Sequence, residues 1–243
     1  PCLAESWTQS EDAQVWTFTL RRGVRFHNGE PLTAADAVAS LDRARTPGMA
    51  GELGTGGLFA DYLGGATVEA LDERRLRIAL TSPMADLLDL LVDVPIAARS
   101  SLAGLPEAHV GTGPYRLAER TATHIRGTAF THYWRGAPPA ETVVWEARPD
   151  EMERAAALAA GEADLATTLS PLGQGALAGH PQARVVLAPS SLCVIFMCNA
   201  QAGTCADRRV RQALHHALDV AAMIQAVRPG AAEPLNGPLT PLH

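Results

Sequence analysis

Lysine is missing. All 20 basic residues among the 243 are arginines, and beside so much alanine and glycine this reads as the imprint of a GC-rich genome and not as chemistry. Positive charge is short as well, since 26 acidic residues leave a net charge of −6. Nucleic acids and anionic membranes call for a positive footprint, so neither is an expected partner of this segment. Long apolar runs are absent; none approaches the roughly 18 residues of a membrane-spanning helix. The front of the chain has no initiator methionine and neither the basic nor the apolar region of a signal peptide. It opens on PCLAESW, which reads as the interior of a longer protein.

Catalytic signatures are lacking too. No GxSxG, HExxH or CxxC pattern occurs. GTGG and GTGP lack the Lys-Ser/Thr of a phosphate loop and the dinucleotide spacing, and read as ordinary turns. The chain is therefore expected not to be an enzyme and to carry no cofactor and no metal.

What is present is globular composition, with 47% hydrophobic and 19% charged residues. The length suits one large domain or two ordinary ones. Such a chain buries roughly 70% of its unfolded surface, so its core needs no metal or disulfide. VWTFTL places Trp16, Phe18 and Leu20 on one face of a half-buried strand. GVRFHNGE continues as a second strand into an Asn28-Gly29 hairpin turn with both central residues at positive φ. Thr33 and Asp36 form a capping box ahead of a helix whose apolar face is Ala37, Leu41 and Ala44. Gly48 to Gly65 reads as loop, and ATVEALDERRLRIAL as a hairpin. DLLDLLVDVPI is a short buried helix ended by Pro95. GTGPYRLAE turns into a strand, TVVWEAR is another, and Asp150 with Glu153 caps a helix that stops at Gly161. ARVVLAP and SLCVIFMCNA are continuous apolar runs, as in strands buried on both faces. Asp207 caps one last long helix, RRVRQALHHALDVAAMIQAV. Without a fixed-period repeat, this is an α/β or mixed α+β protein with more than one sheet.

His27 reads as a strand-end residue hydrogen-bonded to its turn, not as a general base. His215 and His216 are neighbours on a helix, point about 100° apart and cannot share an ion. His215 with Asp219 has the helical spacing of a metal-binding pair, but such a pair is more often a surface ion pair. Of the cysteines, Cys193 and Cys198 would lie roughly 16 Å apart on a strand and cannot bridge. Cys198 and Cys205 flank the loop NAQAGT and can pair in an oxidising compartment.

Several segments in order resemble the extracellular solute-binding proteins of the oligopeptide, dipeptide and nickel class, the family 5 receptors of ABC importers. They are LAESW with WTFTLRRGVRFHNGEPLTAADAVASLDRA, then VEALDERRLRIALTSPMADLLDLL, GTGPYRL, YWRGAPPAETVVWEARPDEMERAAALAAGEADLA and DRRVRQALHHALDVAAMI. The set runs from about Leu3 to Ile224. The resemblance implies a periplasmic-binding-protein-like fold of class II, two lobes closing on a ligand, with an extra subdomain on lobe one. Residues 1–15 and 111–190 would form part of the main sheet of lobe one, residues 16–110 the subdomain, and residues 191–243 the hinge strand and the start of lobe two. Family members are longer at both ends, so Cys2 is not expected to be a lipidated N-terminal cysteine, and this stretch alone is expected to bind weakly.

The resemblance further implies a peptide or similar small-molecule ligand, an ABC permease as partner, a monomer, and a periplasmic or extracellular location, membrane-associated if lipidated. Phe196, Met197 and Asn199, at the family's apolar-run-then-Asn position, are the expected cleft residues, with Arg99 and Tyr62 as further polar contacts. His27 then becomes scaffold. An alternative of another class is a solute-sensing domain of a transcription regulator on the same fold.

Overall fold

The computed structural model describes residues 2–46, 55–105, 109–188, 190, 192–235 and 237. The chain divides into two compact units, Pro1–Ala147 and Arg148–His243.

In the first unit, strands β1 (Ala4–Gln9), β2 (Val15–Leu20), β3 (Thr67–Ala70) and β4 (Arg75–Ala79) make one antiparallel sheet in the order β1-β2-β4-β3. The expected alternation of β2 is realised: Trp16, Phe18 and Leu20 are buried and the residues between them half-buried. Opposite them, Trp16 pairs with Ile78 and Phe18 with Leu76, so one face of the sheet is continuously apolar. Burying each of these side chains is worth about 1.5–3 kcal/mol. The expected hairpin is β3–β4, in the register Val68↔Ile78.

Helix α1 (Ala34–Arg45) covers that face with Ala37 and Leu41. It starts where Thr33 and Asp36 predict. The Asp36 carboxylate accepts from the Thr33 amide at 2.9 Å and its hydroxyl at 2.5 Å. At the other end Arg45 donates to the carbonyl oxygens of Leu63 and Ala66. Those two residues follow from a feature read as loop: α2 (Thr55–Leu63) is a helix. Its Phe59 and Leu63, one turn apart, are both in the core. Burial of two such side chains, about 1.5–3 kcal/mol each, outweighs the roughly 1 kcal/mol that each of its two glycines, Gly56 and Gly57, costs. Residues 48–54 of the expected loop lie outside the described residues.

The Asn-Gly turn also differs from expectation. Only an isolated bridge, Arg25↔Pro31, forms in place of a second strand. Gly29 has φ +89° while Asn28 stays at negative φ. The Gly29 amide bonds the Phe26 carbonyl and the Phe26 amide bonds that of Glu30. This is a three-residue loop in which one left-handed glycine closes the turn, so the asparagine need not be left-handed.

Helix α3 (Leu87–Val92) ends before Pro95 as expected, with Leu87 fully buried and Val92 exposed. A second antiparallel sheet is formed by β5 (Tyr115–Arg120), β6 (His124–Ala129) and β7 (Thr142–Glu146). The middle strand, β6, is too polar to show a clear alternation. Its Gly127 is buried, and a Cβ there would stand 3.1 Å from Tyr115 Cβ and 3.3 Å from the Trp145 ring. The tryptophan ring takes the space that a side chain would use.

In the second unit, α4 (Glu151–Ala159) starts at Asp150, whose carboxylate accepts from the amides of Met152 and Glu153, and ends before the left-handed Gly161. Helix α5 (Pro171–Ala176) is tied to it: Glu151 accepts from both the amide and the hydroxyl of Ser170, at 2.8 Å each. Arg154 donates to four carbonyl oxygens, those of Arg148 (2.6 Å), Pro149 (2.7 Å), Thr167 (3.2 Å) and Thr168 (3.1 Å).

The apolar runs at 183–189 and 191–200 were expected as buried strands. Their described residues form no strand, and Val194 is 96% exposed. Apolar content supplies the propensity, but a strand forms only where another strand accepts its backbone hydrogen bonds. The long final helix is two: α6 (Arg208–Ala217), capped by Asp207, and α7 (Val220–Val227). Asp219 breaks it by accepting from the Ala222 amide, so it acts as a cap and not as the helical partner of His215. Among the described residues, no helix is long and apolar enough to cross a membrane.

Candidate ligand-binding site

The five expected ligand contacts fall in both units. Phe196, Met197 and Asn199 precede α6; Phe196 is 78% exposed and Met197 83%. Asn199 is held by its own turn, its Oδ1 accepting the Gln201 amide at 3.0 Å. Gly203, at φ +71°, then reverses the chain into a short 3-10 turn, Thr204–Ala206. Cys205 lies in this turn, seven residues after Cys198. Partial burial first, then the Cys205 thiol, push the Cys198 thiol pKa up; the Arg211 guanidinium opposes them. Arg211 also donates to the carbonyl oxygens of Cys205 (2.8 Å) and Ala206 (3.0 Å). No disulfide joins any of the four cysteines.

Arg99 and Tyr62 lie in the first unit and are not brought together. Arg99 opens a 3-10 turn (Arg99–Gly104), and its amide donates to Asp36 Oδ1 at 2.9 Å, at the N-terminal end of α1. Tyr62 is 54% exposed on α2. Its neighbour Leu63 is held by Arg45 at the C-terminal end of α1. From Asp36 to Arg45 the helix rises roughly 14 Å. The two side chains therefore occupy opposite ends of one helix.

His27 is a structural residue, though not through its own turn. Its Nε2 lies 3.0 Å from the carbonyl oxygen of Gly113, 86 residues away, and its amide donates to the Gly111 carbonyl. A carbonyl only accepts, so Nε2 carries the proton and Nδ1 is the bare nitrogen. Nδ1 is buried, and no described residue meets it with hydrogen-bond geometry. The ring meets Phe130 edge-on at 5.2 Å. Burial above all, with the Arg116 charge adding, holds the His27 pKa below its ordinary value, while the Gly113 carbonyl pulls it up. The residue thus stitches the β2 sheet to the turn before β5 as a neutral imidazole.

Two features escaped the sequence reading. The guanidinium groups of Arg21 (4.8 Å) and Arg135 (4.5 Å) each lie over the Trp134 ring. A shallow groove of about 310 Å³ runs between the Arg21–Arg25 loop and Glu73–Arg74; none of the five expected contacts is among its lining residues. Among the described residues, no group of three or more His, Cys, Asp or Glu side chains could hold a metal ion.

Over residues 1–243 the chain matches the family model of bacterial extracellular solute-binding proteins, family 5 middle. It belongs to that family, whose fold is mixed α/β and two-lobed. It is 32% identical to the glutathione-binding protein GsiB of Salmonella choleraesuis (strain SC-B67), over 98% of this chain and 47% of that one. Among solved structures it resembles the periplasmic binding protein DppA of Helicobacter pylori in complex with the peptide STSA. That likeness has 27% identity and a TM-score of 0.76, over 100% of this chain and 52% of that one. It also resembles NikA of Brucella suis in complex with Fe(III)-EDTA, with 28% identity and a TM-score of 0.76 over 95% and 48%. The chain spans about half the length of the curated relatives it matches. These matches give no support to a transcription regulator's sensor domain, and the relatives are binding proteins, not enzymes.

Proposed function

We propose that the protein is the substrate-binding component of an ABC importer, capturing a short peptide or similar small solute between two lobes and delivering it to the membrane permease. The observation that carries this is the family match along the whole chain, with relatives described as binding glutathione and the peptide STSA. It acts as an exported monomer, periplasmic or extracellular, attached to the membrane if lipidated, and this segment takes no nucleic acid. Binding does the work: a ligand that touches both lobes favours the closed state, and closure presents a surface to the permease. No bond is made or broken.

Phe196, Met197 and Asn199 form the contact group at the hinge, and Arg99 and Tyr62 contribute from the first unit. Their solvent exposure in this chain supports the assignment. Residues 1–15 with 111–190, 16–110 and 191–243 serve as part of lobe one, its subdomain, and the hinge with the start of lobe two. The test is calorimetry with glutathione, the peptide Ser-Thr-Ser-Ala, free amino acids and Fe(III)-EDTA. Saturable binding of a peptide, weakened about ten-fold by Phe196→Ala or Asn199→Ala, is expected. Binding of the chelate and of neither peptide would overturn the peptide assignment.

A further inference from the structure

The chain carries a net charge of −6, yet no acidic residue stands between Ala13 and Gly29, and that stretch holds Arg21, Arg22 and Arg25. These three lie in the loop after β2 and face Glu73 and Arg74 across the groove of about 310 Å³. Three of the four guanidinium groups are fixed in place without being used up. Arg74 donates through Nη2 to the Leu20 carbonyl at 2.6 Å and to the Glu5 carboxylate at 2.7 Å. Arg25 gives Nη1 to the Gly29 carbonyl at 2.8 Å. Arg21 gives Nε to the Cys2 carbonyl at 3.3 Å and lies over the Trp134 ring. A guanidinium has five N–H donors, so most of them stay free. Arg22 is exposed and bonds no described residue. Four cations thus meet two carboxylates, Glu73 and Glu5, which leaves two positive charges in excess at one place on an acidic chain.

We propose that this groove binds a phosphate group, at a site separate from the solute-binding contacts. Guanidinium forks match the oxygens of such a group two at a time. Its charge of about −1.5 to −2 at pH 7 balances the excess, whereas a lone carboxylate would occupy one fork and leave the rest uncompensated. The volume sits at the low end for ligand sites, which suits a single charged group and not a peptide. Val24 and Leu32, which also line the groove, are core residues, so the loop that presents the arginines is anchored. A neighbouring depression of about 380 Å³ shares Glu73 and Arg74 but adds Asp72, whose carboxylate already pairs with Arg75 at 2.6 Å. That second depression lacks the excess charge. One compact groove also differs from the extended footprint a nucleic acid needs. The phosphate can come as the free ion or as a phospholipid headgroup; the chemistry recognised is the same. None of the five expected solute contacts lines the groove, so the inference is independent of the solute carried.

The test is equilibrium dialysis of the full chain against radiolabelled inorganic phosphate at pH 7.5 and fixed ionic strength. One equivalent should bind saturably, with a Kd on the order of 1 mM, and more weakly as sodium chloride is raised. Arg22→Ala, at an exposed side chain that holds nothing in the fold, should weaken binding about ten-fold. Arg22→Lys keeps the charge but loses the planar fork, and should weaken it about three-fold. Arg208→Ala, an exposed arginine of the other unit, should change nothing. Sedimentation with phosphatidylglycerol vesicles distinguishes the sources. Binding to vesicles that free phosphate displaces, and that Arg22→Ala weakens, assigns the headgroup; phosphate uptake without vesicle binding assigns the free ion. Absence of saturable phosphate uptake, or an equal loss in Arg22→Ala and Arg208→Ala, would overturn the proposal. So would tighter binding of a triglutamate peptide at the same groove, which would reassign it to an acidic protein segment.

Discussion

Asp36 offers the sharpest test of how the first unit is held. Its carboxylate is buried and accepts three hydrogen bonds: Oδ2 takes the Thr33 amide and hydroxyl, and Oδ1 takes the Arg99 amide. One side chain therefore caps α1 and fastens the 3-10 turn that carries a proposed ligand contact. Asp36→Ala removes the acceptor for two backbone amides. Loss of a cap costs about 1 kcal/mol, and stranding a partly buried amide adds about 1–3 kcal/mol, so a loss of roughly 2–4 kcal/mol is expected. Asp36→Asn keeps one oxygen, which can serve Thr33 or Arg99 but not both, and should fall between. All four tryptophans (Trp7, Trp16, Trp134 and Trp145) are in the first unit, so their fluorescence in urea reports that unit alone. With a slope near 2 kcal/mol per M, the alanine variant's midpoint should drop by about 1–2 M. An alanine variant within about 0.5 kcal/mol of the parent would show that water replaces the carboxylate at no cost and would refute the reasoning.

Gly127→Ala should destabilise the β5–β7 sheet by about 1–3 kcal/mol, because the new Cβ meets Tyr115 Cβ, which cannot rotate away; the same fluorescence titration reads it. Arg154→Lys should cost about 2–3 kcal/mol and lower the second unit's thermal midpoint by circular dichroism, since an ammonium cannot fork to four carbonyls; an unchanged midpoint would demote those bonds to surface contacts. His27 sets a pH dependence. Its folded pKa lies below the ordinary value of about 6.5, so the unfolded chain binds the proton more tightly. The stability this residue contributes is complete above that value and is lost as the pH falls below it. The urea midpoint should therefore drop from pH 7.5 to 5.5 in the parent and drop less in His27→Gln; equal drops would assign the effect elsewhere.

Much of this protein was legible without coordinates, for reasons that are local. The alternation of Trp16, Phe18 and Leu20, the hairpin around Asp72, the capping box at Thr33 and the caps at Asp150 and Asp207 each depend on residues a few positions apart. Side-chain period and cap chemistry act at that range. The ordered family segments added the fold, which no single element carries. The reading failed where the deciding partner is remote or where a local rule competes with another. Helix α2 forms because Phe59 and Leu63 join the core beside α1, a helix distant in the chain. Asp219 splits an apparently continuous helix because capping wins over propensity at that position.

The sequence by itself thus determined the fold class, the family and the character of His27 as scaffold, because pattern and order suffice for these. Tertiary structure alone decided that His27 binds the Gly113 carbonyl rather than its own turn, and that Asp36 reaches Arg99. It alone set Tyr62 and Arg99 at opposite ends of α1. Each of these is a question of which distant groups share a few ångströms, and separation along a chain does not encode that distance.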